Sequence, residues 1–183
     1  MITHDGWHAE SERCPSPNMD ARPCGESISL LVVHNISLPP GQYGGGHVAD
    51  FFSNRLALEK DPYFAEIGHL RVSAHLLIER TGKSIQFVSF ANRAWHAGVS
   101  LFGGRTGCND FSIGVELEGT DIEPYTDEQY LRLAAVTREL MATYPQISLQ
   151  RIVGHADIAP GRKTDPGIAF DWYRYFSLLR QEN

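Results

Sequence analysis

Cysteine is scarce in this 183-residue chain, and Cys14, Cys24 and Cys108 fall in no metal-binding spacing. An odd, scattered set of this kind is the usage of a reducing compartment rather than of a disulfide framework. Long apolar runs are missing as well. Nothing approaches the roughly 20 residues that a membrane span needs. The opening Met1-Ile2-Thr3-His4-Asp5-Gly6-Trp7 has neither the basic start nor the apolar core of a signal peptide, and no cysteine follows an apolar stretch as a lipid-anchor signal would require. Cytoplasmic location is the resulting expectation. Basic runs are lacking too, and the net charge of −6 argues against nucleic acid or anionic membrane as the main partner. With 42% hydrophobic and 21% charged residues and no repeats or linker, the chain has the make-up of one globular domain with a sizeable core.

What is present reads as alternating strands and helices. Residues 1 to 27 are polar and carry Pro15, Pro17 and Pro23, which predicts an irregular arm laid over a domain of residues 28–183. Leu30-Leu31-Val32-Val33-His34-Asn35 is an apolar, partly β-branched run broken at Pro39-Pro40-Gly41, as expected of a buried strand. A short helix is expected from Val48 to about Leu56, with Val48, Phe51 and Phe52 inward. Ser73 to Val88 reads as a hairpin turning at Thr81-Gly82. Ser112 to Gly119 alternates with period two, placing Ile113, Val115 and Leu117 on one face and Gly114, Glu116 and Glu118 on the other. A long helix starts at Thr126, where Thr126 and Gln129 match a capping box, and stops before Pro145. Arg151-Ile152-Val153 is expected as a short strand. A last helix from about Asp171 carries Trp172, Tyr175, Phe176 and Leu179 as its inward stripe. The fold class is α/β (mixed α+β), a central mixed sheet flanked by helices.

The densest chemistry lies in Gly154 to Gly167, where an imidazole, an ammonium and a carboxylate share one stretch. Pro160, Gly161, Pro166 and Gly167 predict a folded-back loop there rather than a helix. His155 and Asp165, ten positions apart, meet only if that loop closes. His34, at the mouth of its strand, would complete three protein ligands, the number that catalytic zinc takes while keeping a position for water. The ordinary alternatives stand beside this reading. A histidine at a strand end is commonly a hydrogen-bonded structural residue, Asp before Pro is a common turn former, and eight histidines allow a false trio.

Taken together, Val33-His34-Asn35, Ser73-Ala74-His75-Leu76-Leu77-Ile78, Arg93 to Ser100, Asn109 to Gly119 and the His155 to Gly167 loop resemble the zinc-dependent N-acetylmuramoyl-L-alanine amidases. That superfamily includes bacteriophage amidase-type lysozymes and peptidoglycan recognition proteins. His34 to Gly41 and Arg93-Ala94-Trp95-His96-Ala97-Gly98 resemble most its 1,6-anhydro-N-acetylmuramyl-L-alanine amidase branch. The resemblance runs from about Gly6 to Trp172. It implies one Zn2+ held by His34, His155 and Asp165, with Glu116 moving the catalytic proton and Lys163 stabilising negative charge. The implied reaction is hydrolysis of the lactyl amide between 1,6-anhydro-N-acetylmuramic acid and L-alanine in cytosolic muropeptides, by a monomer.

Alternatives remain for each role. Glu116 is otherwise a buried carboxylate paired with an arginine, and Glu118 shares its face and competes for the base. Lys163 is otherwise a solvated loop cation. The expected substrate-binding set is Asn35, Arg71, Ala94, Trp95, His96 and Arg105. Trp95 either stacks on the sugar or belongs to the core, while Arg71 and Arg105 either clamp stem-peptide carboxylates or are surface cations. His75 is read as structural. Two other functions compete: an amidase acting on intact peptidoglycan, and a peptidoglycan-recognition module without activity.

Overall fold

Both faces of the strand that carries His34 are covered, which is why Leu30 to Val33 form an unbroken apolar run rather than an alternation. The computed structural model describes residues 1–181. In chain order these form β1 (Glu12–Arg13), β2 (Met19–Asp20), β3 (Leu30–Ile36), α1 (His47–Phe52), α2 (Pro62–Ile67), β4 (Leu76–Ile78), β5 (Ser84–Gln86), β6 (Arg93–Ala94), β7 (Leu101–Phe102) and β8 (Arg105–Thr106). Then follow β9 (Ser112–Glu118), α3 (Asp127–Thr143), β10 (Ile152–Gly154), α4 (His155–Ile158) and α5 (Trp172–Arg180). The main sheet has the order β1-β5-β4-β9-β3-β10 and is mixed, because β4 and β5 pair antiparallel while its other neighbours run parallel. The expected α/β class and mixed sheet are therefore what the chain adopts.

One face of the sheet carries Leu31, Val33, Ile113, Val115 and Leu117. Against it pack Tyr130, Leu133, Val136 and Leu140 of α3, together with Tyr175 of α5. The opposite face is covered in two patches. Phe51, Phe52 and Phe64 from α1 and α2 lie over Leu77 and Ile85, while Ala97, Cys108, Phe111 and Ile158 lie over Leu30 and Val32. His34 and Glu116 are register partners on that same face, so the ends of β3 and β9 deliver both side chains into the gap. Ligand sites of parallel sheets form beyond the carboxyl ends of the strands for this reason.

Most expected elements are present, with informative differences. The alternation in β9 does not leave a solvated face: all seven residues are buried, because loops roof the polar side. Tyr175 alone is fully buried on α5, whereas Trp172, Phe176 and Leu179 are only partly covered, α5 packing at the edge of the core. Arg151 closes a 3-10 turn, and the strand begins one residue later at Ile152. The N-terminal segment is not irregular throughout, since β1 pairs with β5 and β2 pairs with β6.

The capping box of α3 forms as expected. Gln129 N–H donates to Thr126 Oγ1 at 3.2 Å, and Thr126 N–H donates to Gln129 Oε1 at 3.1 Å. Gln129 Nε2 also donates to the carbonyls of Ile78 and Glu118, so this cap ties the helix to the ends of β4 and β9. Thr126→Ala is expected to cost about 1 kcal/mol, lowering the melting temperature by about 2–4 °C in a thermal scan.

Candidate active site

The loop after β10 closes through its backbone. Ala156 N–H donates to the Asp165 carbonyl at 2.9 Å, and Arg162 and Lys163 N–H both donate to the Ala159 carbonyl at 3.1 Å. This departs from the expectation of a helix-free stretch, because His155–Ile158 makes one helical turn before Pro160. Asp157 starts that turn by accepting the Gly154 N–H at 2.7 Å. Gly154 is needed for a spatial reason: a β-carbon there would lie 2.7 Å from Cδ of Pro166, across the closed loop.

Closure brings three donor atoms to one point. His34 Nδ1 lies 2.9 Å from Asp165 Oδ2 and 3.0 Å from His155 Nδ1, and His155 Nδ1 lies 3.1 Å from Asp165 Oδ2. Both histidines are buried, and the three form a group that could hold a metal ion. Zinc bonds of about 2.0–2.1 Å at tetrahedral angles separate neighbouring ligands by roughly 3.3 Å. The observed triangle is within a few tenths of an ångström of one face of that tetrahedron, and two imidazoles with one carboxylate are a zinc donor set. His155 Nε2 is 3.1 Å from the Ala97 carbonyl, which only accepts. His155 therefore carries its proton on Nε2 and turns a bare Nδ1 to the centre. Burial lowers the His34 imidazole to about 4, so it is neutral near pH 7 and able to ligate. Burial opposes ionisation of Asp165, but the adjoining His155 and His34 imidazoles outweigh it and hold the carboxyl well below its usual range.

The two acidic residues of β9 have separate fates. Glu118 is committed to structure, since its carboxylate accepts the Gly44 N–H at 2.6 Å and the Arg80 N–H at 3.2 Å. Glu116 is buried beside the trio, and its Oε2 has no hydrogen-bond partner among the described residues. Burial, reinforced by the Asp165 charge and opposed by Lys163, pushes its carboxyl well above the ordinary range. No arginine is paired with it among the described residues. Lys163 is exposed at the rim of the same cavity.

That cavity has a volume of about 740 Å³. His34, Glu116, His155 and Asp165 line it on one side, and Leu38, Phe51, Phe52, Tyr63 and Ile67 form an apolar wall on another. Asn35 lines it with its amide donating to Asp121 Oδ1 at 2.8 Å. Trp95 is half-buried in the wall, with a buried indole Nε1 that has no partner among the described residues. Arg71 lines a second recess of about 460 Å³ that shares Trp95, Arg162 and Lys163 with the first.

Two members of the expected substrate set lie away from both cavities. Arg105 lies outside both cavities, stacked at 4.1 Å over Phe111 and ion-paired to Glu26 at 2.7 Å. Ala94 is fully buried in β6, with its backbone paired to Met19 and its methyl in the core beneath α1 and α2. His96 lines the cavity, but both ring nitrogens are engaged within the protein. His75 is structural as expected, accepting the Gly114 N–H at Nδ1 and donating from Nε2 to the Asn92 carbonyl. The sequence reading missed the apolar wall, of which only Phe51 and Phe52 were flagged, and then as core. It also missed Arg162, whose guanidinium donates to the Ala97 and Val99 carbonyls at 2.8 and 2.7 Å.

A mixed sheet presenting two imidazoles and a carboxylate beside an unpaired buried glutamate is the arrangement of a metal-dependent hydrolase. The chain belongs to the N-acetylmuramoyl-L-alanine amidase family, whose model matches residues 25–168. It is 58% identical to the 1,6-anhydro-N-acetylmuramyl-L-alanine amidase AmpD of Salmonella typhimurium (strain SL1344), over 98% of this chain and 95% of that one. Its structure matches the crystal structure of an Se-Met AmpD derivative with a TM-score of 0.95 and 56% identity, covering 98% and 99% of the two chains. It is also similar, at TM-score 0.62 and 28% identity over 86% of this chain and 60% of the other, to the amidase AmiD from E. coli. That structure is a complex with the substrate anhydro-N-acetylmuramic acid-L-Ala-D-gamma-Glu-L-Lys.

Proposed function

We propose that this chain is a cytoplasmic zinc amidase that hydrolyses the lactyl amide between 1,6-anhydro-N-acetylmuramic acid and L-alanine in soluble muropeptides released from the cell wall. The reaction class is carried by the convergence of His34 Nδ1, His155 Nδ1 and Asp165 Oδ2 beside the unpaired Glu116. The substrate is supported by near-full-length identity to an amidase named for that bond.

His34, His155 and Asp165 would hold the ion. Zinc, when bound, supplies Lewis acidity that polarises a carbonyl and lowers the pKa of water to about 7. Glu116 takes the proton of the attacking water and passes it to the departing amine of L-alanine. Its burial suits this exchange, because a carboxyl raised toward neutrality both accepts and returns a proton. The Lys163 ammonium faces negative charge developing on the scissile carbonyl oxygen. Trp95 lays its indole against the apolar side of the sugar. Asn35 is oriented by Asp121 toward the bound amide. Arg71, beside the second recess, meets carboxylates of the stem peptide.

Purified protein offered soluble anhydro-muropeptide and polymeric sacculi side by side is expected to release stem peptide mainly from the soluble substrate. Chelation should abolish turnover and added zinc should restore it. Preference for sacculi would overturn the substrate assignment, and activity that survives removal of the metal would overturn the zinc assignment.

A further inference from the structure

His34 reaches the metal position through Nδ1, and its other nitrogen, Nε2, lies 2.9 Å from Nδ1 of His96. The far side of the His96 ring, Nε2, lies 3.1 Å from Ser112 Oγ, and Ser112 Oγ donates to the Cys108 carbonyl at 2.6 Å. The direction of every proton in this row follows from its last member. A carbonyl only accepts, so the Ser112 hydroxyl spends its hydrogen there and offers a lone pair to His96. His96 then carries its proton on Nε2 and leaves Nδ1 bare. A bare Nδ1 accepts, so the proton of His34 sits on Nε2, and His34 Nδ1 is the lone pair that faces His155 and Asp165. We infer that His96 is a positioning residue that sets the tautomer of His34, with Ser112 as its anchor. The inference deepens the zinc assignment proposed above and rests on it.

The shape around the ring supports the same role. A β-carbon on Gly114 would lie 2.5 Å from Nδ1 and 2.8 Å from Cδ2 of His96, so the missing side chain in β9 is the seat of this imidazole. Gly114 is itself held by its N–H to His75 Nδ1 at 3.0 Å. Asn109 Oδ1 accepts the backbone N–H of His96 and of Ala97, at 3.1 and 2.7 Å. The dipeptide His96-Ala97 thus orients both imidazoles of the trio, one through a side chain and the other through the Ala97 carbonyl. The opposite tautomer of His34 would point an N–H at the metal position, and loss of such outer partners commonly weakens metal binding about 10–100-fold.

The test uses the full chain as wild type, His96→Ala, His96→Asn and Ser112→Ala. Zinc affinity is read by competition with a chromophoric chelator. His96→Ala is expected to weaken it about 10–100-fold, and His96→Asn, whose Oδ1 accepts from His34 in place of Nδ1, to recover most of the loss. Long-range 1H–15N correlation on the zinc-free chain reads the tautomer directly. His34 should carry its proton on Nε2 in wild type and His96→Asn, and become a mixture in His96→Ala and Ser112→Ala. Ser112→Ala removes one hydroxyl and supplies that readout should His96→Ala fold poorly. Unchanged zinc affinity in His96→Ala, or a zinc-free wild type with its His34 proton on Nδ1, would overturn the inference. A wild type that binds no zinc would sink the metal assignment, and the tautomer measurement would still decide the role of His96.

Discussion

Asp165→Ala is expected to lower turnover of anhydro-muropeptide by about 10³-fold or more, the loss of several kcal/mol of Lewis-acid catalysis, and to reduce bound zinc below one equivalent. Asp165 is the anionic member of the trio, and its Oδ2 touches both imidazoles. Two neutral histidines alone do not make a tight site for a divalent ion. The substitution is a fair test because the loop is closed by the Asp165 carbonyl, which alanine retains, and not by its carboxylate. Turnover and zinc content by elemental analysis are measured on the same preparation. Undiminished hydrolysis would remove Asp165 from the ligand set.

Glu116→Gln is expected to lower kcat by about 10²–10⁴-fold while zinc stays bound and KM changes little. The amide keeps the volume of the side chain and cannot take a proton. In wild type, kcat/KM should fall as pH drops through the Glu116 value, because the base must be ionised, and the residual activity of Glu116→Gln should lack that limb. Stability follows the opposite sense. The folded carboxyl is raised above its ordinary value of 4.5, so the protonated form is the one the fold favours. Its contribution is fully present below the unfolded value and is lost as pH rises through the folded one. Zinc-free Glu116→Gln should therefore melt above zinc-free wild type at neutral pH, and the gap should close in acid. Loss of zinc in this variant would instead make Glu116 a ligand or a support of the site.

Local signals carried much of the fold into the sequence. The apolar run before His34 marked a strand buried on both faces, the Thr126/Gln129 pair marked the start of α3, and Gly82 marked the hairpin turn. They are legible because each depends on neighbours within a few residues. The trio was legible for another reason, since few residue types hold zinc and the prolines and glycines after His155 announced a closed loop. Burial across the sheet was not legible. Period two in β9 separated its two faces, and only loops distant in sequence decide that the polar one is buried as well. The short turn at His155 was missed because four residues are too few to show a helical period.

The residue string by itself determined which chemistry is available: two imidazoles, a carboxylate, a spare glutamate and a lysine, on segments whose strand and loop character is local. Tertiary packing alone decided what each does. It separated Glu118 from Glu116 by giving the first two backbone donors and the second none among the described residues. It also sent Arg105 to Glu26, buried Ala94 and turned His96 inward against His34. The physical reason is that a side chain's role depends on what is left for its polar atoms to bond once the chain has packed, and those partners lie up to 131 positions away along the chain.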